Sequence, residues 1–238
     1  MLLKPQLFLV FVYSAMANYQ HLLKAQGIKK YYGAFQVLKN IDLQIAPGEI
    51  VAIMGASGAG KSTLLHILAT LDKPDGGRLY LGEDDLLALP GNKLAKFRNK
   101  HIGFIFQFHN LLPEFTVLEN VCLPGYIGGF NPQLVETHAK ELLALLNLAD
   151  RMLHKPAMLS GGEQQRAAVA RALINGPRMV MADEPSGSLD AKNARALHQL
   201  IFDLRQQLGH GFVIATHNQT LADMADRKLI IEDGELIS

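Results

Sequence analysis

The chain carries one cysteine, Cys122, in 238 residues. No intramolecular disulfide can form, which favours a reducing, cytosolic setting, and a lone thiol reads most simply as a small buried hydrophobe. Nine histidines are present, yet none stands at a paired ligand spacing, so the sequence offers no framework for a dedicated zinc or iron site. Charge is equally scarce. A net charge of +1 with 19% charged residues gives no field that would hold a nucleic acid. The longest apolar stretch, residues 7–13, is too short to span a bilayer. Internal repeats and low-complexity linkers are missing as well.

What is present is a chain with 49% apolar residues, too hydrophobic for disorder and able to bury a sizeable core. Its length suits one α/β domain with an insert better than two full domains. Strand-like stretches at 21–31 and 36–45, ending in the turn Ala46-Pro47-Gly48-Glu49, and a third at 78–81 after Asp75-Gly76-Gly77 predict a small antiparallel layer. Apolar runs at 50–54, 102–106, 179–182, 212–215 and 229–231 alternate with helical patterns, which predicts a parallel sheet with crossovers. Leu197, Leu200, Ile201, Leu204 and Leu208 form one face of a crossover helix bounded by Gly209. Between 108 and 166 no strand pattern occurs, and Val135, Ala139, Leu142, Leu143 and Leu146 recur at helical spacing after a Gly128-Gly129-Phe130-Asn131-Pro132 loop. This stretch predicts a helical subdomain inserted between two strands of the sheet.

The chemistry is concentrated in Gly55-Ala56-Ser57-Gly58-Ala59-Gly60-Lys61-Ser62-Thr63, which joins the apolar run 50–54 to a helical pattern beginning at Lys61. Glycines here let consecutive backbone N–H groups converge on phosphate oxygens, and the N-terminus of the next helix adds partial positive charge. Lys61 can reach the β- and γ-phosphates and Ser62 can present its hydroxyl to Mg²⁺. A phosphate-binding loop alone leaves kinases, GTPases and motors open. The second element, Met179-Val180-Met181-Ala182-Asp183-Glu184, ends an apolar strand in adjacent acids, an arrangement that sets Asp183 beside Mg²⁺ and Glu184 beside an attacking water. The third, Leu159-Ser160-Gly161-Gly162-Glu163-Gln164-Gln165-Arg166, would be explained on its own as a helix N-cap at Ser160.

In this order the three elements resemble those of the ATP-binding cassette (ABC) ATPases, and four further positions agree. Gln107 matches the family's Q-loop, Ser188-Leu189-Asp190 its D-loop, His217 its switch histidine, and Tyr32 its adenine-stacking aromatic. The resemblance covers residues 21–238. It implies a P-loop NTPase (RecA-like) core with an antiparallel β subdomain and an inserted α-helical subdomain. It also implies ATP and Mg²⁺ as cofactors, and a head-to-tail homodimer in which Ser160, Gly161, Gly162 and Asp190 of one copy complete the site opened by Lys61 of the other. By the same resemblance Glu184, His217, Gln107 and Lys61 are catalytic, and Ser62, Gln107 and Asp183 attend the metal.

Within the family, Gln107 to Val121, and Leu111-Leu112-Pro113-Glu114-Phe115-Thr116 above all, resembles the ATP-binding subunits of lipoprotein-releasing systems. Members of that branch usually have Thr and Asn where Ser186 and Ser188 stand. The branch implies integral membrane permeases of the LolC and LolE kind, a peripheral place on the cytoplasmic face of the bacterial inner membrane, no nucleic acid and no direct contact with the transported molecule. A related macrolide-exporter or cell-division system is the alternative. A GTPase is disfavoured because Asn92-Lys93-Leu94-Ala95 lacks the guanine-specifying Asp. Chromosome-organising ATPases need a coiled coil for which 238 residues leave no room, and translation factors carry two cassettes.

Residues 1–20 stand apart. Lys4 followed by the apolar run 7–13 and Ser14-Ala15-Met16-Ala17 has the look of a short signal peptide. Export would separate an ATP-driven machine from ATP, which leaves a misassigned start with Met16 as initiator, or an apolar extension.

Overall fold

The computed structural model describes residues 21–237; the expectations for residues 1–20 fall outside the described residues. Two sheets organise the chain. One is antiparallel, in the order β2-β1-β4-β5, from β1 (Leu23–Tyr32), β2 (Phe35–Ile45), β4 (Gly76–Leu81) and the short β5 (Asp84–Asp85). The other runs β10-β9-β3-β8-β7-β6, from β3 (Ile50–Met54), β6 (Ile102–Ile105), β7 (Met179–Asp183), β8 (Gly211–Ala215), β9 (Arg227–Glu232) and β10 (Glu235–Leu236). Strands β9, β3, β8, β7 and β6 are parallel, and β10 returns antiparallel on β9.

Strands β3, β7 and β8 are buried on both faces, whereas β9 alternates buried and exposed residues, and the two-residue period of the buried strands divides the core. Val51, Ile53, Met179, Met181, Val213 and Ala215 point toward the antiparallel sheet and α1 (Lys61–Leu68). Their neighbours Ile50, Val180, Ala182, Phe212 and Ile214 point the other way, against a mostly helical layer. Continuous apolar runs were therefore the right signal for these strands. The runs understate strand length where polar residues extend the ladder: β7 continues to Asp183, and β9 spans Arg227–Glu232. In the opposite sense, β6 stops at Ile105 and not at Phe106. The Phe106 carbonyl instead accepts a hydrogen bond from Gln165 Nε2 at 3.2 Å.

Between β6 and β7 the described residues contain no strand. They form α3 (Val117–Ile127), α4 (Pro132–Leu145) and α5 (Gly161–Leu173), with short 3₁₀ turns at Ala149–Arg151 and Pro156–Met158. Local sequence explains each start. Thr116 and Glu119 cap α3 reciprocally, and Asn131 with Pro132 opens α4. The face expected of α4 is buried at Val135, Ala139, Leu142 and Leu143, with Leu146 just beyond the helix. Helix α2 (Gly91–His101) precedes β6 and buries no residue fully, which is why no apolar period announced it. Helix α6 (Ala191–Leu208) buries Leu197, Ile201 and Leu204, with Leu200 and Leu208 at the edge, and ends at Gly209 in the left-handed region with φ 65°. The short α7 (Gln219–Met224) follows β8.

Helix α5 lies so close to β6 that a methyl on Gly103 would collide with the Ala172 carbonyl oxygen. Gly103→Ala is therefore expected to destabilise the fold by about 1–3 kcal/mol through overpacking. Chemical denaturation measures this; an unchanged midpoint would mean that the helix yields.

Candidate functional site

Strand β3 ends at Met54, the loop 55–60 follows, and α1 begins at Lys61. Backbone conformation dictates two of the loop's glycines. Gly55 has φ 154°, and a methyl there would strike the Ile231 carbonyl; Gly60 has φ 105°, and a methyl would meet Leu38 Cδ2 at 2.9 Å. Only glycine satisfies both demands without strain. The buried Lys61 ammonium folds back on this loop, donating to the Gly55 carbonyl at 2.8 Å and the Ala56 carbonyl at 2.9 Å. Lys61 is thus packed against the backbone of the loop that lines the cavity beside it.

That cavity, about 510 Å³, is lined by Tyr32, Val37, Ser57, Gly58, Gly60, Lys61, Ser62, Thr63, Gln107, Glu184 and His217. Residues from five separate stretches of sequence meet there. Tyr32 presents a half-exposed ring, tethered by its hydroxyl, which donates to Asp72 Oδ2 at 3.0 Å. Gly55, Ala56 and Ala59 line an adjoining depression, about 490 Å³, on the side of Phe35, Lys39 and Asp233. Asp183 lies next to the loop, where Ser62 Oγ donates to its Oδ1 at 3.0 Å. Burial pushes the Asp183 carboxyl up from its ordinary value, and the Ser62 hydrogen bond offsets that in part.

Glu184 has φ 44°, a left-handed conformation that a non-glycine residue enters only when its surroundings impose it. The surroundings are visible. Its backbone N–H donates to the Ala215 carbonyl at 2.9 Å. Its carboxylate accepts from Thr216 Oγ1 at 3.2 Å and from the His217 backbone N–H at 3.0 Å, and it lies 2.8 Å from His217 Nδ1. The His217 ring is 72% exposed and the Glu184 side chain 14%, so the histidine stands between a held carboxylate and the open cavity.

The remaining expected residues do not join this cavity. Ser160 caps α5, and Gly161 and Gly162 form its first turn. Asp190 caps α6, accepting from the Lys192 and Asn193 N–H groups at 2.9 and 3.0 Å. These two helix starts adjoin: a methyl at Gly162 would reach Asn193 Oδ1 at 2.9 Å. One chain therefore presents a phosphate-loop cavity in one place and a capped, glycine-opened helix N-terminus in another. Sequence reasoning missed Thr216 and Asp72, which hold Glu184 and Tyr32, and the Asp72 contact spans 40 residues with no local signal. It also missed Arg171, whose guanidinium donates to the His109 and Asn110 carbonyls just beyond Gln107.

The family model described as ABC transporter matches residues 38–187. The lipoprotein-releasing system ATP-binding protein LolD of Cytophaga hutchinsonii is 57% identical over 218 residues, covering 92% of this chain and all of that protein. The protein of the same name from Bacteroides thetaiotaomicron is 54% identical, covering 90% and 99%. Among solved structures, a dimeric ATP-binding cassette in a post-hydrolysis state with ADP and Pi superposes with a TM-score of 0.83 at 38% identity, over 91% of this chain and 97% of that one.

The start of α5 carries a charge that pH can read. Glu163 Oε2 accepts from the Ser160 N–H at 2.8 Å and from Ser160 Oγ at 2.7 Å, and Arg151 Nε donates to its Oε1 at 3.1 Å. These bonds, those from Ser160 first, pull its carboxyl from 4.5 down to about 2. A depressed folded-state value means the contribution is full above about 4.5 and fades as pH falls toward about 2. Glu163→Gln, which keeps the capping geometry but not the charge, is expected to lose that portion of the acid dependence. Urea midpoints at pH 5 and pH 3 test it, and parallel losses in both proteins would refute it.

Proposed function

The chain belongs to the ABC transporter family and hydrolyses ATP, and on that premise we propose that it is the motor subunit of a complex that releases lipoproteins from the inner membrane toward the outer membrane. The LolD proteins similar to it over nearly their whole length support this reading, as does the Leu111-Leu112-Pro113-Glu114-Phe115-Thr116 segment. The same likeness disfavours the macrolide-exporter and cell-division alternatives. Among the described residues no helix is long and apolar enough to cross a membrane. Integral permeases of the LolC and LolE kind do the membrane work in this proposal, with the present chain docked on their cytoplasmic side.

The carrying observation is the separation, within one chain, of the Lys61 cavity from the Ser160–Gly162 helix start. Two copies arranged head to tail would bring each Ser160 to the other's Lys61 and close two composite sites. The dimeric cassette cited above is a precedent for association of this kind. Glu163 already caps Ser160, and the N–H groups of Gly161 and Gly162 in the same first turn suit an anion, because a helix N-terminus carries partial positive charge. Each charge-assisted hydrogen bond to phosphate is worth ~1.5–3 kcal/mol. A few such bonds, made only while the γ-phosphate is in place, suffice to tip a dimerisation equilibrium, and hydrolysis removes them.

Inside the site, Lys61 and the N–H groups of 55–63 bind the phosphates, Tyr32 offers its ring to the adenine, and Gln107 faces the same space. Ser62 and Asp183 supply two hard oxygen donors, which fits Mg²⁺, an ion that keeps few protein ligands and completes its shell with phosphate and water. An ion held by Ser62 and Asp183 would supply positive charge against the phosphate oxygens. Glu184 takes a proton from the attacking water. Thr216 and His217 hold its carboxylate in line, and His217, exposed at the cavity mouth, adds a donor toward the γ-phosphate. Asp190 stays at the helix start facing the partner copy.

Glu184→Gln is expected to lower turnover by roughly 10²–10⁴ while leaving ATP binding intact, and the variant should elute as a stable dimer with ATP. Steady-state hydrolysis near the wild-type rate would refute the assigned base. Lys61→Ala removes the buried cation beside the phosphates and should weaken ATP affinity at least tenfold; nucleotide titration measures that, and unchanged affinity counts against the loop. Detergent extraction of the native complex followed by mass spectrometry tests the wider reading, which requires a permease pair to co-purify.

A further inference from the structure

Helix α6 buries one polar residue inside its apolar face. His198 is 2% exposed and sits two turns beyond the Asp190 cap. Its Nε2 lies 2.8 Å from Ser186 Oγ, and its Nδ1 has no partner among the described residues. Burial pushes the imidazole below its ordinary value, which favours the neutral ring. A half-satisfied buried imidazole is a costly choice for a helix face that leucine and isoleucine otherwise fill. Packing alone does not account for it; the hydroxyl it meets does.

Ser186 belongs to the turn that separates Glu184 from Asp190. Within that turn the Gly187 N–H donates to the Glu184 carbonyl at 2.9 Å and the Leu189 N–H to the Ser186 carbonyl at 3.1 Å. Ser188 Oγ donates to the Gln107 carbonyl at 3.4 Å. Glu184 itself is held with a positive φ at the head of the turn. The His198–Ser186 bond is a side-chain tie from the middle of this turn to the body of α6. We propose that His198 is a positioning residue for hydrolysis: by holding Ser186 it fixes the turn that aims the Glu184 carboxylate at one end and presents Ser188 and Asp190 at the other. The proposal rests on the reading of Glu184 as the base. It assigns His198 no contact with nucleotide.

Four variants in the complete complex with its membrane subunits test this. His198→Phe fills the space without a ring nitrogen, and Ser186→Ala removes the hydroxyl. Each is expected to lower kcat about tenfold, the effect of a small misplacement of a reacting group, with KM for ATP changed less than about twofold. The double variant should be no worse than either single one, because both delete the same bond. His198→Gln, which retains a side-chain donor and acceptor, should recover most of the lost kcat. Wild-type kcat in His198→Phe, single effects that multiply in the double variant, or a loss of kcat matched by an equal loss of ATP affinity would each overturn the proposal. Glu184→Gln is measured in the same preparation. If it turns over at the wild-type rate, the base assignment fails, whereas a dead Glu184→Gln beside a fully active His198→Phe sinks the tie alone.

Discussion

Parallel alignment of β3, β8, β7 and β6 is the constraint on which the site depends. Because these strands run the same way, their carboxyl ends share one edge, and each delivers its residues there: Lys61 and Ser62 beyond β3, His217 beyond β8, Asp183 and Glu184 at the end of β7, Gln107 beyond β6. Ligands in open α/β sheets collect at such an edge because side chains and helix N-termini converge on it while the core stays shut. The register is enforced by burial on both faces. A one-residue slip of β7 against β8 would exchange Met179 and Met181 with Val180 and Ala182 between two differently shaped cores.

Much of this was legible because it is local. The phosphate loop occupies consecutive residues, its glycines answer to backbone demands, and the apolar runs beside it had no other reading. The helix start at Ser160 was likewise written in adjacent residues, and the buried face of α6 matched its period. What escaped were contacts that close over distance. Asp72 reaches Tyr32 from 40 residues away, and Thr216 gains its role only because β8 is paired with β7. His198 sat inside a helix face already explained by leucines, and its partner lies 12 residues back, across the helix cap. Helix α2 escaped for a different reason, since a helix that buries nothing fully leaves no apolar period to detect.

Glu184 shows how an unfavourable backbone conformation is maintained. A positive φ costs a non-glycine residue on the order of 1–3 kcal/mol, yet the residue is tied through its own N–H, through its carboxylate and through the turn that follows it. Those ties come from β8, from the residues just past β8 and from the turn before α6. The carboxylate is therefore oriented before any substrate arrives, which is the condition under which the proposed general base would be most effective.

Helix α5 joins the two ends of the proposed composite site within one chain. Its first turn holds Ser160, Gly161 and Gly162, while further along Gln165 bonds the Phe106 carbonyl and Arg171 bonds the His109 and Asn110 carbonyls. Gln107 lies between those acceptors. Moving the segment of Gln107 without moving α5 would break these hydrogen bonds, each worth roughly 1 kcal/mol net and more for the charged Arg171, and would leave the buried Gln165 amide with no partner at all, since its Oε1 already lacks one among the described residues. The segment and the helix therefore travel together. In the proposed head-to-tail dimer, a contact that draws Gln107 toward nucleotide in one copy would thereby be linked to the position at which the same copy offers Ser160 to its neighbour, with α3 and α4, packed on α5, carried along.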